Sequence, residues 1–246
     1  MTADNEDDLE DKKPLLEHLY ELRQRLLNSV IAIVLLFFVS YYFSTEIYAF
    51  LVQPLADVLE GMGGERRLIF TALHEAFFTY IKVSFFTAMF IAFPFIAIQI
   101  WMFVAPGLYE NEKKAFLPLL IATPILFFLG GALVYYFVFP MAWKFFLGFE
   151  SMGGAGTLPI QLEAKVDQYL SLVMQLIFAF GLCFELPVVM TLLGRIGFIT
   201  SKGMKEKRRY AIVGAFIASA ILTPPDVISQ IALAVPTILL YEISIY

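Results

Sequence analysis

Long apolar runs alternate with short polar stretches along most of the chain. Four runs, Leu26–Phe43, Ala76–Val104, Ala115–Pro140 and Tyr169–Gly194, come near or exceed the about 20 residues that cross a hydrocarbon core of about 30 Å. Each predicts a transmembrane helix. Two later runs, Tyr210–Leu222 and Val227–Tyr241, are shorter and reach only about 20 to 23 Å at the helical rise. Between them Thr223, Pro224, Pro225 and Asp226 predict a tight turn, because two prolines end one helix and an aspartate caps the next. The pattern admits a re-entrant hairpin or two short spans. Two spans in a locally thinned bilayer is the reading adopted. Ahead of the first run, Leu15, Leu19, Leu22 and Leu26 recur at helical spacing after Pro14, so an amphipathic helix is expected on the membrane surface, feeding the first span. The stretch from Ser44 to Glu75 contains Gln53, Pro54, Asp57 and Gly61 to Gly64, which predict short helices and a turn.

Composition agrees with this pattern. Of 246 residues, 60% are hydrophobic and 16% charged, against about 45 to 50% and about 25% for a soluble domain. An ordinary soluble enzyme is excluded. The net charge of -5 arises largely from Asp4, Glu6, Asp7, Asp8, Glu10 and Asp11. Residues 1–13 are therefore read as an acidic, disordered cytoplasmic tail, and residues 14–246 as one six-helix transmembrane domain. The tail lacks the basic and apolar regions of a removable signal peptide. One cysteine, Cys183, and two histidines, His18 and His74, leave no disulfide and no metal cluster to expect. No nucleic-acid partner is implied. Lys and Arg set the orientation: with the N-terminus inside, twelve of the seventeen basic residues fall in cytoplasmic segments, which places both ends of an all-α, six-helix chain in the cytoplasm.

No phosphate cradle of the GxxxxGK[ST] type, GxSxG elbow or HExxH pair occurs, so no nucleotide or metal cofactor is expected and no catalytic role. The informative polar residues lie elsewhere. Glu185 sits inside the fourth span beside Pro187, where an ionised group costs about 2.5 to 3.5 kcal/mol at the bilayer centre. It should be protonated or paired with another helix. Lys82 and Gln99 in the second span are milder cases, and Lys82 lies near enough to the outer end to snorkel. Glu17, Glu21 and Arg25 stand four apart on one helix face, a spacing that also suits a simple charge ladder. A second cytoplasmic cluster runs from Pro106 to Lys114 and includes Glu112, an acid that the helix dipole favours in a first turn. Together Glu21 and Glu112 offer two carboxylates suited to bidentate capture of guanidinium groups. Prolines at 94, 118, 124, 187 and 236 should kink the spans into a concave body. Gly214, Ala215, Ala218 and Ser219 form a small-residue face, open equally to a partner helix or to packing within the chain.

Several separated motifs carry a family resemblance. The order is His18-Leu-Tyr-Glu21-Leu-Arg23-Gln-Arg25, then Gln99-Ile-Trp101-Met-Phe103-Val-Ala-Pro106-Gly-Leu-Tyr109 with Glu112, then Phe184-Glu185-Leu-Pro187, then Thr223-Pro-Pro-Asp226-Val-Ile-Ser229-Gln230. This series resembles TatC, the multi-spanning subunit of the twin-arginine protein translocase, from about Pro14 onwards. Ile98 stands where the family commonly has Tyr. The resemblance implies six kinked helices in a cupped, glove-like arrangement in the bacterial inner membrane. It also implies recognition of twin-arginine signal peptides on folded preproteins, assembly with TatA and TatB, a homo-oligomer in the assembled complex, and export driven by the proton motive force. Glu21 and Glu112 then match the signal-binding acids, with Arg23 and Phe103 at sensitive positions nearby. Glu185 and Gln230 match partner-helix positions, and Pro54 and Asp226 match outer loop positions. The rival reading is a proton-coupled solute carrier that titrates Glu185.

Overall fold

A computed structural model describes residues 4–61, 67–104, 110–151, 153, 158–195 and 197–245, with side chains for all of these except 4–15, 104 and 110–117. The helices are α1 (Asp4–Tyr42), α2 (Ser44–Glu60), α3 (Glu75–Val104), α4 (Glu110–Leu133), a π-helical turn (Val134–Val138), α5 (Phe139–Leu147), α6 (Val166–Phe184), α7 (Leu186–Arg195), α8 (Ser201–Glu206), α9 (Arg208–Leu222) and α10 (Val227–Ser244). Among the described residues, five stretches are long and apolar enough to cross a membrane: Leu16–Tyr42, Glu75–Phe103, Pro118–Leu147, Val166–Arg195 and Val227–Ser244. The sixth expected span, α9, has 15 residues and measures about 22 Å.

The amphipathic stretch and the first span form one continuous helix, α1, not a surface helix joined to a separate span. Its backbone is helical from Asp4 onwards. The third and fourth spans do depart from regular α-helix, as kinked spans would. In the third, the Phe139 N–H reaches back five residues to the Val134 carbonyl, and this wider turn makes room for Pro140, whose ring would press on the carbonyl four residues back. The fourth breaks at Glu185, just before Pro187. The prolines at 94, 118, 124 and 236 lie inside helices that continue through them.

Helices α3, α4 and α6 form the centre. Phe86, Phe90, Phe127 and Phe178 interlock there, and Phe93 stacks on Phe127 with centroids 3.6 Å apart. Glycines bring the backbones together: a Cβ at Gly130 would lie 2.6 Å from the Phe180 carbonyl oxygen, and one at Gly181 2.6 Å from the Phe127 ring. Close approach of this kind replaces the hydrophobic drive that helices lack in lipid.

The outer connections lock onto this centre. In α2, Pro54 has no N–H to give to the Phe50 carbonyl. That carbonyl instead accepts from the Tyr135 hydroxyl at 2.6 Å, and the neighbouring Leu51 carbonyl accepts from Tyr169 at 3.1 Å. The two outer loops meet where Ile69 exchanges backbone bonds with Ala164 and Val166, and Lys82 pairs with Asp167 across α3 and α6.

Helices α9 and α10 form an antiparallel hairpin. Gln230 Nε2 bonds the Phe216 carbonyl near the turn, and Arg208 Nη2 bonds Glu242 Oε2 at 2.7 Å at the far end. The Tyr241 hydroxyl donates to the Met204 carbonyl at 2.9 Å, closing the same end. Gln175, nine residues into α6, donates to the Leu222 carbonyl, which sets the turn about 14 Å below the outer start of α6.

Candidate functional site

The first cluster lies at the end of the molecule marked cytoplasmic by its Lys and Arg. There α1 runs antiparallel to α3, with His18 stacked on Phe103 at 4.2 Å and 17° and the Arg25 guanidinium 3.5 Å from the Met102 sulfur. One helical turn back from Arg25, Glu21 Oε1 accepts from Arg25 Nη2 at 3.1 Å. Arg25 Nε is buried with no partner among the described residues, and the Arg25 carbonyl accepts from the Ser29 hydroxyl. Arg23 is exposed on the same helix. The structure therefore brings Glu21 and Phe103 together through His18, Arg25 and Met102. Glu112 lies in the first turn of α4, but its side chain is outside the described residues, as are 105–109.

The second cluster is polar and inside the span. Glu185 caps the C-terminus of α6, is 8% exposed, and keeps Oε1 without a partner among the described residues. The Thr123 hydroxyl of α4 donates to the Leu119 carbonyl of its own helix. Gln99 of α3 is likewise buried with Oε1 unpartnered. Such groups call for water or another chain's polar side chain. The outer positions have joint-forming roles. Asp226 caps α10 by accepting from the Ser229 N–H at 2.7 Å, with its second oxygen buried and unpartnered among the described residues. Gln230 ties α10 to α9, and Pro54 frees the carbonyl that Tyr135 takes.

The model of the family described as "Sec-independent protein translocase protein (TatC)" matches residues 17–236. The chain belongs to the TatC family. A TatC of Magnetococcus marinus is 53% identical over 97% of this chain and 85% of its own length. That of Escherichia coli K12 is 39% identical over 97% and 89%. A crystal structure of the twin arginine translocase receptor TatC superposes with a TM-score of 0.76 at 39% identity, covering 93% of this chain and 96% of that one. The all-helical fold agrees with the TatC structure.

Within this TatC fold, several working residues escaped the sequence reading. Tyr135 and Tyr169 look like ordinary aromatic residues of a span, and only the position of α2 shows that their hydroxyls are used. Asp167 as the partner of Lys82 needed the packing of α3 on α6. The Arg208–Glu242 pair was detectable: folding the chain at residues 223–226 lays 208 beside 242. The small-residue face of α9 divides in two, with Ala215 and Ser219 buried within the chain and Gly214 open. Burial also raises the pKa of the Tyr48 hydroxyl in α2, with Tyr80 adding to the effect.

Proposed function

We propose that this chain is the receptor subunit of a twin-arginine protein translocase in the bacterial cytoplasmic membrane. It binds signal peptides of folded preproteins at its cytoplasmic end and assembles with TatA and TatB for export driven by the proton motive force. The observation that carries this reading is the Glu21 carboxylate, held by Arg25 on the same helix and three residues on from the His18 that stacks on Phe103, at the junction of α1 and α3. A signal of paired arginines followed by an apolar segment needs a carboxylate next to an apolar shelf.

In this reading Glu21 and Glu112 take the guanidinium groups, Arg23 borders the site, and Phe103 supports the segment that follows. A guanidinium–carboxylate hydrogen bond contributes about 1.5 to 3 kcal/mol when partly desolvated. Glu185 and Gln230 are polar contacts for partner helices, and Glu185 has an oxygen free to make one. Pro54 and Asp226 shape the outer loops. The subunit recognises and assembles without a catalytic step of its own, within a homo-oligomer. Photo-crosslinking tests this directly, with probes at positions 21 and 112 and a twin-arginine signal peptide. Crosslinks at both are expected; their absence, together with saturable solute uptake into proteoliposomes by this chain alone, would replace the receptor by a carrier.

A further inference from the structure

We propose that Arg25 is a built-in competitor for the signal peptide, occupying Glu21 in the free receptor so that only a guanidinium of better geometry can take its place. This rests on the reading of Glu21 as a signal-binding acid. The site is not an open carboxylate: Glu21 already carries a guanidinium from its own helix, one turn away. An incoming arginine must exchange with it, because a bidentate grip uses both carboxylate oxygens and a second cation beside Arg25 is repelled by like charge.

Arg25 is suited to being displaced. Among the described residues, only one of its three nitrogens has a strong acceptor, the single 3.1 Å contact from Nη2. Nη1 faces a thioether at 3.5 Å, a weak acceptor, and Nε is buried with none. Both side chains of the pair are about 30% exposed, so water screens the pair and can receive the released guanidinium. At the same time the helix keeps Arg25 at a high, fixed local concentration, and the Met102 sulfur gives its Nη1 a weak contact.

Exchange leaves the charge at Glu21 unchanged. What decides it is therefore geometry: two parallel hydrogen bonds from the newcomer against one from Arg25. An arginine can supply that difference. A lysine ammonium, a point charge with no planar fork, cannot better the contact it would have to replace. A bare carboxylate would attract either cation, so Arg25 converts general attraction into selectivity for guanidinium by penalising the wrong ligand.

The test measures binding of labelled twin-arginine and twin-lysine signal peptides to the purified full-length receptor in proteoliposomes. Arg25→Gln, which keeps a long polar side chain without the charge, should tighten the twin-lysine peptide by about threefold to fivefold, the range of a partly exposed ion pair. The twin-arginine peptide should gain less, so the arginine-to-lysine affinity ratio falls. Arg25→Lys, which keeps the charge, should retain a larger share of the ratio and serves if the Gln variant folds poorly. An unchanged ratio, or equal loss for both peptides, would make Arg25 a support for Glu21 and overturn the proposal. Glu21→Gln separates the two levels. If it leaves twin-arginine binding intact, the signal-site reading itself fails; if it weakens binding while Arg25→Gln leaves the ratio unchanged, only the competitor fails.

Discussion

The α3–α4–α6 centre and the cytoplasmic end of α1 are built on opposite terms. At the centre, glycines bring backbones into contact, phenylalanines interlock, and 44% of the most apolar stretch of α6–α7 is buried. Only 11% of the corresponding stretch of α1 is buried, although α1 packs along α3, and near the candidate site the His18–Phe103 stack and the Arg25–Met102 contact join the two helices. Lipid tails are as apolar as leucine side chains, so exposure of α1 to lipid carries no hydrophobic penalty, and nothing but close fit or hydrogen bonding holds helices together there. The centre has that fit and acts as a scaffold. At the α1–α3 end the Arg25–Glu21 pair is partly exposed, which leaves its polar groups able to exchange partners with a ligand.

The largest effect that would break this contrast is at Gly130. Gly130→Ala should lower the thermal stability of the detergent-purified protein by about 1 to 3 kcal/mol or more, through overpacking against the Phe180 backbone. Gly214→Ala should not lower it, since no described atom lies within 4 Å of the added Cβ and Ala favours the helix over Gly. Equal tolerance at both would deny that the centre is close-packed. Next comes Glu112→Ala, expected to weaken twin-arginine peptide binding about tenfold or more at unchanged melting temperature. A matching loss of stability would move Glu112 from the adaptable region to the scaffold.

Smaller effects sharpen the comparison within the scaffold. Tyr135→Phe should cost about 0.5 to 1.5 kcal/mol by orphaning the Phe50 carbonyl. The cost should shrink when Pro54→Ala is also present, because α2 can then close its own bond to that carbonyl. Additive losses in the double-mutant cycle would separate Pro54 from Tyr135. Glu185→Gln should keep TatA and TatB in co-purification, whereas Glu185→Ala should lose them at about 1 kcal/mol per lost interhelical bond. Equal failure of both in export would return Glu185 to a proton-transfer role. Finally, with Cys183 replaced, the exposed turn residue changed by Pro225→Cys should react with an impermeant thiol reagent added from outside. Labelling only from the cytoplasmic side would make α9–α10 a re-entrant hairpin.

Much of this architecture is legible along the chain, because a bilayer imposes one strong rule: every backbone polar group must be satisfied within the span. Apolar run length alone therefore located the helices, Lys and Arg placed the ends, and Thr223 to Asp226 marked the hairpin turn. The same rule made Glu185 conspicuous as an acid inside a span. What the sequence could not disclose is every relation that depends on which helix face meets which. The face Arg25 shows to Glu21 follows from helical spacing, yet its poor satisfaction against Met102 depends on how α1 crosses α3. Pro54 announces a lost hydrogen bond, but Tyr135 and Tyr169 are found only once α2 settles on the third and fourth spans. Hydrophobicity specifies depth in the membrane and is nearly silent on rotation about the helix axis, since lipid and neighbouring helices are equally apolar. The tertiary structure decides that rotation through glycine contacts, ring stacks and a few buried hydrogen bonds.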